Sequence, residues 1–221
     1  MFVMLRNFWK PDPLSVFAKS NSVTGAPQKR SGKFEVRFTE GGNTLIIEED
    51  VEFINVRLQF QKTGNVMIFR AGCSVHGHFI ATNGTIEIGK GTRFNKPCRL
   101  QANEGKSIKV GQKCLFADVN MRTSDIHSVI STETGRRLNL AKDIEIGDRV
   151  WIAERTSVYK GVTIGSGSIV GAHSVVVKSA PRNCTIAGNP ARVVRENVSW
   201  RPRLLGPEGD PTVLERKARK K

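Results

Sequence analysis

Aliphatic residues recur at a fixed interval of six residues through the C-terminal half of the chain. Four of the residues that directly follow them are Gly or Ala, and the positions themselves are Ile146, Ile152, Val158, Ile164, Val170 and Val176. A period of six fits neither a helix nor an alternating strand. It is typical of a parallel β-helix, in which each hexapeptide forms one short side of a triangular coil with its aliphatic residue inward. Because stacked coils share one core, the pattern predicts an all-β domain with a continuous aliphatic column.

The same interval is looser towards the N-terminus. Two shorter runs follow it, first Ile88, Phe94 and Leu100, and then Val110 and Phe116. Strict counting from Phe116 would place Arg122 inside the core, so we expect a shift of one residue near Met121. Residues 44–83 predict earlier, irregular coils with strands.

Some segments leave the period. Residues 128–143 are polar with Thr-Gly in the middle, and they predict a loop that projects between two coils. Residues 180–191 contain two prolines and one glycine, which predict the end of the β-helix and the start of a strap. We therefore divide the chain into an N-terminal arm (1–43), a β-helix domain (44–191) and a basic strap and tail (192–221) that ends in a short basic helix or a frayed segment.

The composition fits one folded domain with tails. Of the 221 residues, 38% are hydrophobic and 25% are charged, which suffices for a packed core. The four cysteines form no CxxC pair, which favours reduced thiols in the cytoplasm over a disulfide framework or a zinc ribbon, and we expect no metal. No apolar run approaches the ~20 residues that span a bilayer. The opening segment is too short in its apolar part for a signal peptide.

The chain is strongly basic, with a net charge of +15. Residues 1–43 hold 7 basic and 3 acidic residues, and residues 192–221 hold 9 and 4, so the two ends carry +9 of this charge. Such a charge attracts a polyanion, whether nucleic acid, anionic lipid or acidic polysaccharide, or simply keeps the tails solvated. Because no nucleic-acid-binding module is visible, we expect no nucleic acid partner, while contact with a membrane surface stays open.

Residues 123–200 resemble the hexapeptide-repeat acetyltransferases that use acetyl-CoA. The likeness is carried by SDIH at 124–127, a loop with TG at 134–135, DRVWI at 148–152 and AGNPARV at 187–193. These elements are most similar to O-acetyltransferases of bacterial capsule and other surface polysaccharides, including those that modify polysialic acid. The resemblance implies a left-handed β-helix, a homotrimer with active sites between protomers, acetyl-CoA as co-substrate and a glycan hydroxyl as acceptor. The positive charge makes an anionic polysaccharide the expected acceptor.

O-acetylation needs a base that deprotonates the acceptor hydroxyl, and imidazole suits this near neutral pH. His127 lies at the end of a coil just before the loop, where a substrate can reach it, and it matches the catalytic histidine of the family. Asp125, two residues earlier, would face the same way if the segment is extended, and it would then orient the imidazole. Glu145 and Glu154 are rivals for that role.

An outward tryptophan is expected next to the core. Trp151 precedes the inward Ile152, so its ring should point away from the coil, where it covers something or packs in a trimer. The resemblance implies that Trp151 lies beside the acetyl thioester, where its indole or backbone N–H would position the acetyl group or stabilise the developing oxyanion.

The resemblance also implies a donor site. The glycine-rich side at Gly165, Gly171 and Ala172 offers the pantetheine arm a flat groove, and the resemblance implies that Ala172 contacts the arm through its backbone, with Ala153 nearby. The residues that match the family's phosphate-binding cations are Lys178, Arg192 and Arg195. Four positions depart from the family or are ambiguous: Val177, where many members have Thr; Tyr159 and Lys160, which replace a Pro-containing corner; and His173, which either lines the donor site or is simply exposed.

Other interpretations remain open. The acceptor could be a small sugar or a nucleotide-linked sugar rather than a polymer. Zinc enzymes of the γ-carbonic anhydrase type share the fold, and His76 and His78 offer a ligand pair, but no third histidine is evident and the AGNPARV strap is foreign to them. A β-helix scaffold without activity is the last alternative, although it gives no reason to keep His127 and Trp151 together with the cations. No cysteine lies near His127 in sequence, so an acyl-enzyme is not indicated.

Overall fold

The computed structural model describes residues 20–209 and Thr212, and these residues wind into a parallel β-helix. The first 19 residues of the arm, and nearly all of the segment expected to form a basic helix in the tail, lie outside the described residues. In chain order the strands are β1 (Ser22–Thr24), β2 (Lys29–Phe38), β3 (Thr44–Ile47), β4 (Glu52–Gln61), β5 (Val66–Phe69), β6 (Ser74–Thr82), β7 (Thr85–Ile88), β8 (Arg93–Phe94), β9 (Cys98–Asn103), β10 (Ser107–Val110), β11 (Leu115–Phe116), β12 (Asn120–Arg122), β13 (Ile144–Ile146), β14 (Trp151–Ile152), β15 (Ser157–Tyr159), β16 (Thr163–Ile164), β17 (Ile169–Val170), β18 (Val175–Val176), β19 (Cys184–Gly188) and β20 (Ala191–Glu196).

The strands enclose the core on three sides. Side 1 is a seven-stranded sheet with the order β1-β3-β5-β7-β10-β13-β16. A second sheet turns a corner, because β6 pairs through Ser74 with β8 and through Gly77 and the residues after it with β9. Side 2 contains the first residues of β4 and β6, then β8, β11, β14, β17 and β19, and side 3 contains the last residues of β4 and β6, then β9, β12, β15 and β18. The expected fold, a left-handed parallel β-helix of hexapeptide repeats, is confirmed.

Two of the three edges of this triangular coil carry the candidate functional residues, and each edge is named after the two sides that meet there. Each coil runs from side 1 through side 2 to side 3. The 2/3 edge consists of residues 55, 76–77, 95–97, 117–119, 153–156 and 171–174. The 3/1 edge consists of residues 62–65, 83–84, 104–106, 123–143, 160–162 and 177–179.

The six-residue period marks the core correctly. All six predicted inward residues are at most 3% exposed. The expected one-residue shift also occurs, since Met121 is fully buried while Arg122 is partly exposed. In the N-terminal coils phenylalanines replace aliphatic residues and form a column of edge-to-face rings, with centroids 5.0–5.8 Å apart, from Phe53 through Phe69, Phe79 and Phe94 to Phe116. Such edge-to-face pairs add to the stabilisation that burial provides.

The β-helix begins before residue 44 and continues through part of the segment 180–191. Strands β1 and β2 pair in parallel with β3 and β4, so part of the segment 1–43 forms the first coil. At the other end, β19 continues side 2, with Cys184 and Ile186 buried, before the chain reverses at the cis Asn189–Pro190 bond into the antiparallel β20. The sequence did not predict this strand, because the two prolines and the glycine indicated the end of the β-helix. The alternation of the two buried residues is nevertheless that of a strand.

Buried asparagines connect the first coils at the 3/1 edge. The Asn65 amide Nδ2 and backbone N–H donate to Asn43 Oδ1 at 2.8 and 3.0 Å. Asn65 Oδ1 in turn accepts from the Gly84 N–H at 3.0 Å, and its Nδ2 also donates to the Gln61 carbonyl at 2.8 Å. This ladder satisfies backbone groups at a corner where no strand pairing is available.

The ladder predicts the effect of one substitution. Asn65→Ala leaves the Gly84 N–H buried without its partner, and an unsatisfied buried group costs about 1–3 kcal/mol. We expect the free energy of unfolding in urea, followed by circular dichroism, to fall by that amount. Thr63→Ala, at an exposed position of the same edge, is the control and should change it by less than about 0.5 kcal/mol. Equal stability of the two variants would contradict a stabilising role for the ladder.

Candidate active site

His127 lies at the 3/1 edge, five residues after the end of β12, where the chain leaves the coil. Its side chain is exposed, and its imidazole makes no hydrogen bond to the described residues. The backbone carbonyl of His127 accepts a hydrogen bond from Asn139 Nδ2 at 2.8 Å. The hydrogen bond from Asn139 therefore fixes the backbone of His127, while the imidazole remains accessible to a molecule from outside the chain.

Asp125 does not orient the imidazole within this chain. The expected same-face arrangement required an extended segment, but Ile126 has φ +69° and interrupts it. The Asp125 carboxylate instead accepts from Asn139 Nδ2 at 2.7 Å and forms an ion pair with the Lys160 ammonium. The hydrogen bond from Lys160, and then that from Asn139, hold the pKa of Asp125 below its ordinary value. Asp125 thus secures the segment that carries His127.

The rival carboxylates lie elsewhere. Glu145 is exposed on β13, on side 1. Glu154 lies on the 2/3 edge and forms an ion pair with Lys96 at 2.6 Å. Neither contacts the His127 imidazole among the described residues.

A second ion pair attaches the loop to the preceding coil. The Arg137 guanidinium donates two hydrogen bonds to the Glu104 carboxylate, at 2.7 and 2.9 Å. The Ser124 hydroxyl also donates to Glu104. The hydrogen bonds from Arg137, and then from Ser124, lower the pKa of Glu104 to about 2. Sequence reasoning missed Glu104, Arg137 and Asn139, and it left the role of Lys160 open.

The loop itself is ordered as a short hairpin with an apolar surface. Ile130 and Arg137 form an antiparallel bridge, and the Leu138 N–H donates to the Val129 carbonyl at 2.8 Å. The large apolar side chains around it are 54–65% exposed, namely Ile126, Val129, Ile130, Leu138 and Leu140. Clustered exposure of this kind marks a surface that another molecule covers.

Trp151 opens β14 on side 2, and its ring points outward as expected, with 38% of the residue exposed. The Trp200 ring lies beside it, with centroids 6.1 Å apart. Trp200 Nε1 donates to the Arg149 carbonyl at 2.6 Å, which brings the C-terminal segment against this side. Trp200 was not singled out from the sequence, because it lies outside the repeat.

The structure does not bring His127 and Trp151 together within one chain. His127 follows β12 at the end of side 3, whereas Trp151 begins β14 on side 2. Strand β13, on side 1, lies between them in the coil. A site that uses both residues therefore needs the 3/1 edge of one molecule against side 2 of another.

The expected donor residues separate into two groups. Ala153, Gly171 and Ala172 lie on the 2/3 edge of successive coils, and Arg192 pairs with Ala187 directly beside Gly171. Arg195 pairs with Thr185 further along β20, and Lys178 lies on the 3/1 edge, the edge that also carries His127. All three cationic side chains are exposed.

Residues 20–209 contain no group of three or more His, Cys, Asp or Glu arranged to hold a metal ion. His76 and His78 flank Gly77 at the 2/3 edge, and burial lowers the pKa of both imidazoles.

The four cysteines are free thiols in the core, and burial raises the pKa of Cys73 and Cys98 to about 12. Among the described residues, no helix is long and apolar enough to cross a bilayer.

Comparison with known proteins places these features in context. Residues 143–178 match the family described as bacterial transferase hexapeptide (six repeats). A polysialic acid O-acetyltransferase of Neisseria meningitidis is 32% identical over 206 residues, which is 91% of this chain and 86% of that relative. One from Escherichia coli O1:K1 / APEC is 34% identical over 128 residues, which is 57% of this chain but only 41% of that longer relative. The crystal structure of the polySia-specific acetyltransferase NeuO is similar to this structure, with a TM-score of 0.77 at 26% identity. The alignment covers 95% of this chain and 96% of the NeuO chain.

The Glu104–Arg137 pair yields a prediction about the loop. An exposed ion pair contributes little to stability, but two hydrogen bonds from one guanidinium make this one stronger than most such pairs. We therefore expect Glu104→Gln to speed hydrogen exchange of the Val129, Ser131 and Leu138 amides by up to about fivefold at neutral pH. The depressed pKa of Glu104 means that the pair persists as the pH falls and is lost only towards pH 2.

Glu133→Gln is the matched control, because Glu133 is an exposed carboxylate of the same loop. Its exchange rates should equal those of the unmodified protein. If Glu104→Gln also leaves the three amides unchanged, the pair does not hold the loop.

Proposed function

The chain belongs to the hexapeptide-repeat O-acetyltransferases, and from this we propose that it transfers acetyl from acetyl-CoA to a hydroxyl of an acidic bacterial surface polysaccharide. The observation that carries the proposal is the 32% identity to a polysialic acid O-acetyltransferase over 91% of this chain. Polysialic acid is therefore the first acceptor to test. The chain's net charge of +15 also favours an anionic acceptor.

In the proposed reaction His127 is the general base. Its imidazole removes the proton of the sugar hydroxyl while the hydroxyl oxygen attacks the thioester carbonyl carbon. The tetrahedral intermediate then expels the CoA thiolate, which takes the proton back from the imidazolium. The exposed and unpaired imidazole supports this role. A cysteine nucleophile is not part of the scheme, because all four cysteines are buried and burial raises the pKa of the Cys73, Cys98 and Cys114 thiols.

The proposed enzyme is a homotrimer in which two chains complete each site. His127 and Lys178 lie on the 3/1 edge, whereas Trp151, Ala153 and Arg192 lie on side 2 or the adjoining 2/3 edge. Docking one edge against the next chain unites all five residues and covers the apolar side chains of the loop. The buried free thiols support a cytoplasmic location.

In this arrangement the donor lies along the 2/3 edge. The backbone at Ala153, Gly171 and Ala172 contacts the pantetheine arm, and Trp151 positions the acetyl group. Arg192 and Arg195 on one chain, with Lys178 from its neighbour, hold the phosphates through charge-assisted hydrogen bonds.

The proposed base is tested with labelled acetyl-CoA and a panel of purified capsular polysaccharides that includes polysialic acid. We expect transfer to an acidic polymer in preference to small sugars or nucleotide sugars, and a loss of about 10²–10⁴-fold in turnover for His127→Ala. Glu133→Gln, at an exposed position of the same loop, is the control. Near-normal turnover of His127→Ala would refute the proposed base. No transfer to any acceptor would favour the scaffold alternative.

The shared site is tested by mixing two inactive variants. Trp151→Ala should also lower turnover, through lost positioning. If each site takes His127 from one chain and Trp151 from the next, random trimers of the two variants regain about one quarter of normal activity. No recovery on co-refolding would place both residues of a site on one chain.

The proposed phosphate contacts predict a change in the apparent KM for acetyl-CoA. Each lost charge-assisted contact costs about 1–3 kcal/mol, so Arg192→Ala with Arg195→Ala should raise the apparent KM for acetyl-CoA at least about tenfold. The KM for the acceptor should change little. Arg182→Ala, an exposed arginine before β19, serves as control. An unchanged KM for acetyl-CoA in the double variant would show that the phosphates are bound elsewhere.

A further inference from the structure

A basic cavity of about 600 Å³ lies on the 2/3 edge in the N-terminal coils. It is lined on successive coils by Arg57, His78, Arg99 and Asn120, with Lys33 and His76 beside them. The proposed mechanism uses none of these residues. The later coils of the same edge carry Ala153, Gly171 and Ala172, so the cavity continues the donor track towards the N-terminus.

The polar residues that line the cavity occupy one straight column of register positions. Arg57 is the register partner of His78, His78 of Arg99, and Arg99 of Asn120. Because adjacent strands are about 4.8 Å apart, Arg57 and Arg99 lie one strand spacing on either side of His78. A column of this kind offers donors at a regular spacing to one extended ligand.

The column contains polar groups without partners. His78 Nε2 and Asn120 Oδ1 are buried and have no hydrogen bond among the described residues. Arg99 forms no ion pair within residues 20–209, whereas Arg57 is engaged by Glu35 at 3.0 Å. Buried polar atoms that stay unpaired are costly unless a ligand satisfies them.

The surrounding charges favour an anion. Glu35 is neutralised by Arg57 and, at 3.6 Å, by Lys33, and Asp118 faces Arg155 at 3.9 Å. Arg99 is thus a lining cation that has no carboxylate partner among the described residues, and the cavity keeps an excess of positive charge. Burial, and then Arg99 and Arg57, lower the pKa of His78, so its imidazole is neutral near pH 7 and can donate one hydrogen bond.

We infer that this cavity binds the carboxylate of an acidic sugar residue of the acceptor chain, with Arg99 as the principal cation and His78 as a second donor. The inference rests on the proposed function and names the feature that the acceptor must have. Arg99 lies two strand spacings, about 10 Å along the axis, from the coil that contains Ala153. A short oligosaccharide therefore reaches from the cavity to the reacting centre.

The binding test uses a sialic acid oligomer without acetyl-CoA, measured by calorimetry at fixed ionic strength. We expect Arg99→Gln to weaken binding about 10- to 100-fold. Arg93→Gln, an exposed arginine on side 2 outside the cavity, is the matched control. Equal binding by Arg99→Gln and Arg93→Gln, or no binding by the unmodified protein, would overturn the inference.

The chemical test compares the oligomer with its carboxyl-reduced form. Reduction should weaken binding to the unmodified protein by a similar factor, and Arg99→Gln should then have no further effect. The same loss in Arg99→Gln with both oligomers would show that Arg99 does not act on the carboxylate. Binding without acetyl transfer would refute the proposed function and leave the cavity assignment intact.

Discussion

Hydrogen bonding between successive coils is the constraint on which the rest of this structure depends. Each coil must present its N–H groups to the carbonyls of the coil beside it, as the Trp151 N–H does to Ser168 at 3.0 Å. This requires equivalent residues to lie directly above one another. Inward positions then form the Phe and aliphatic columns, and outward positions form straight columns such as Arg57, His78 and Arg99. The same rule thus produces both the core and a regular array of surface groups.

The candidate chemistry lies where this regularity is interrupted. Between β12 and β13 the chain leaves the coil, and His127 stands at that point with its imidazole exposed. A projecting loop loses the support of neighbouring coils, so its position has to come from side chains. The Asp125–Lys160 and Glu104–Arg137 pairs supply it, and both connect the loop to the rigid coil. A base on such a loop is accessible and still oriented.

The two edges have complementary roles in the proposed enzyme. One edge carries His127, and the other carries the glycine and alanine corners of the donor track, because small residues allow close approach to the backbone. Within one chain these edges face away from each other. Assembly of chains is then a requirement of the proposed chemistry, and the apolar loop surface supplies contact area for it. The N-terminal continuation of the donor edge adds the cationic cavity.

Sequence alone determined the coil architecture, the inward residues, the projecting loop and the outward Trp151, because each depends on a local period or a local interruption of it. The partners of Asp125 and Glu104, the stacking of Trp200 and the column at Arg99 were decided by the tertiary structure. The column residues are 21 positions apart, but Asn120 pairs with Ser157, 37 residues on, because the loop intervenes. The six-residue period records which residues point inward. It does not record how long each coil is, and coil length sets which outward residues meet.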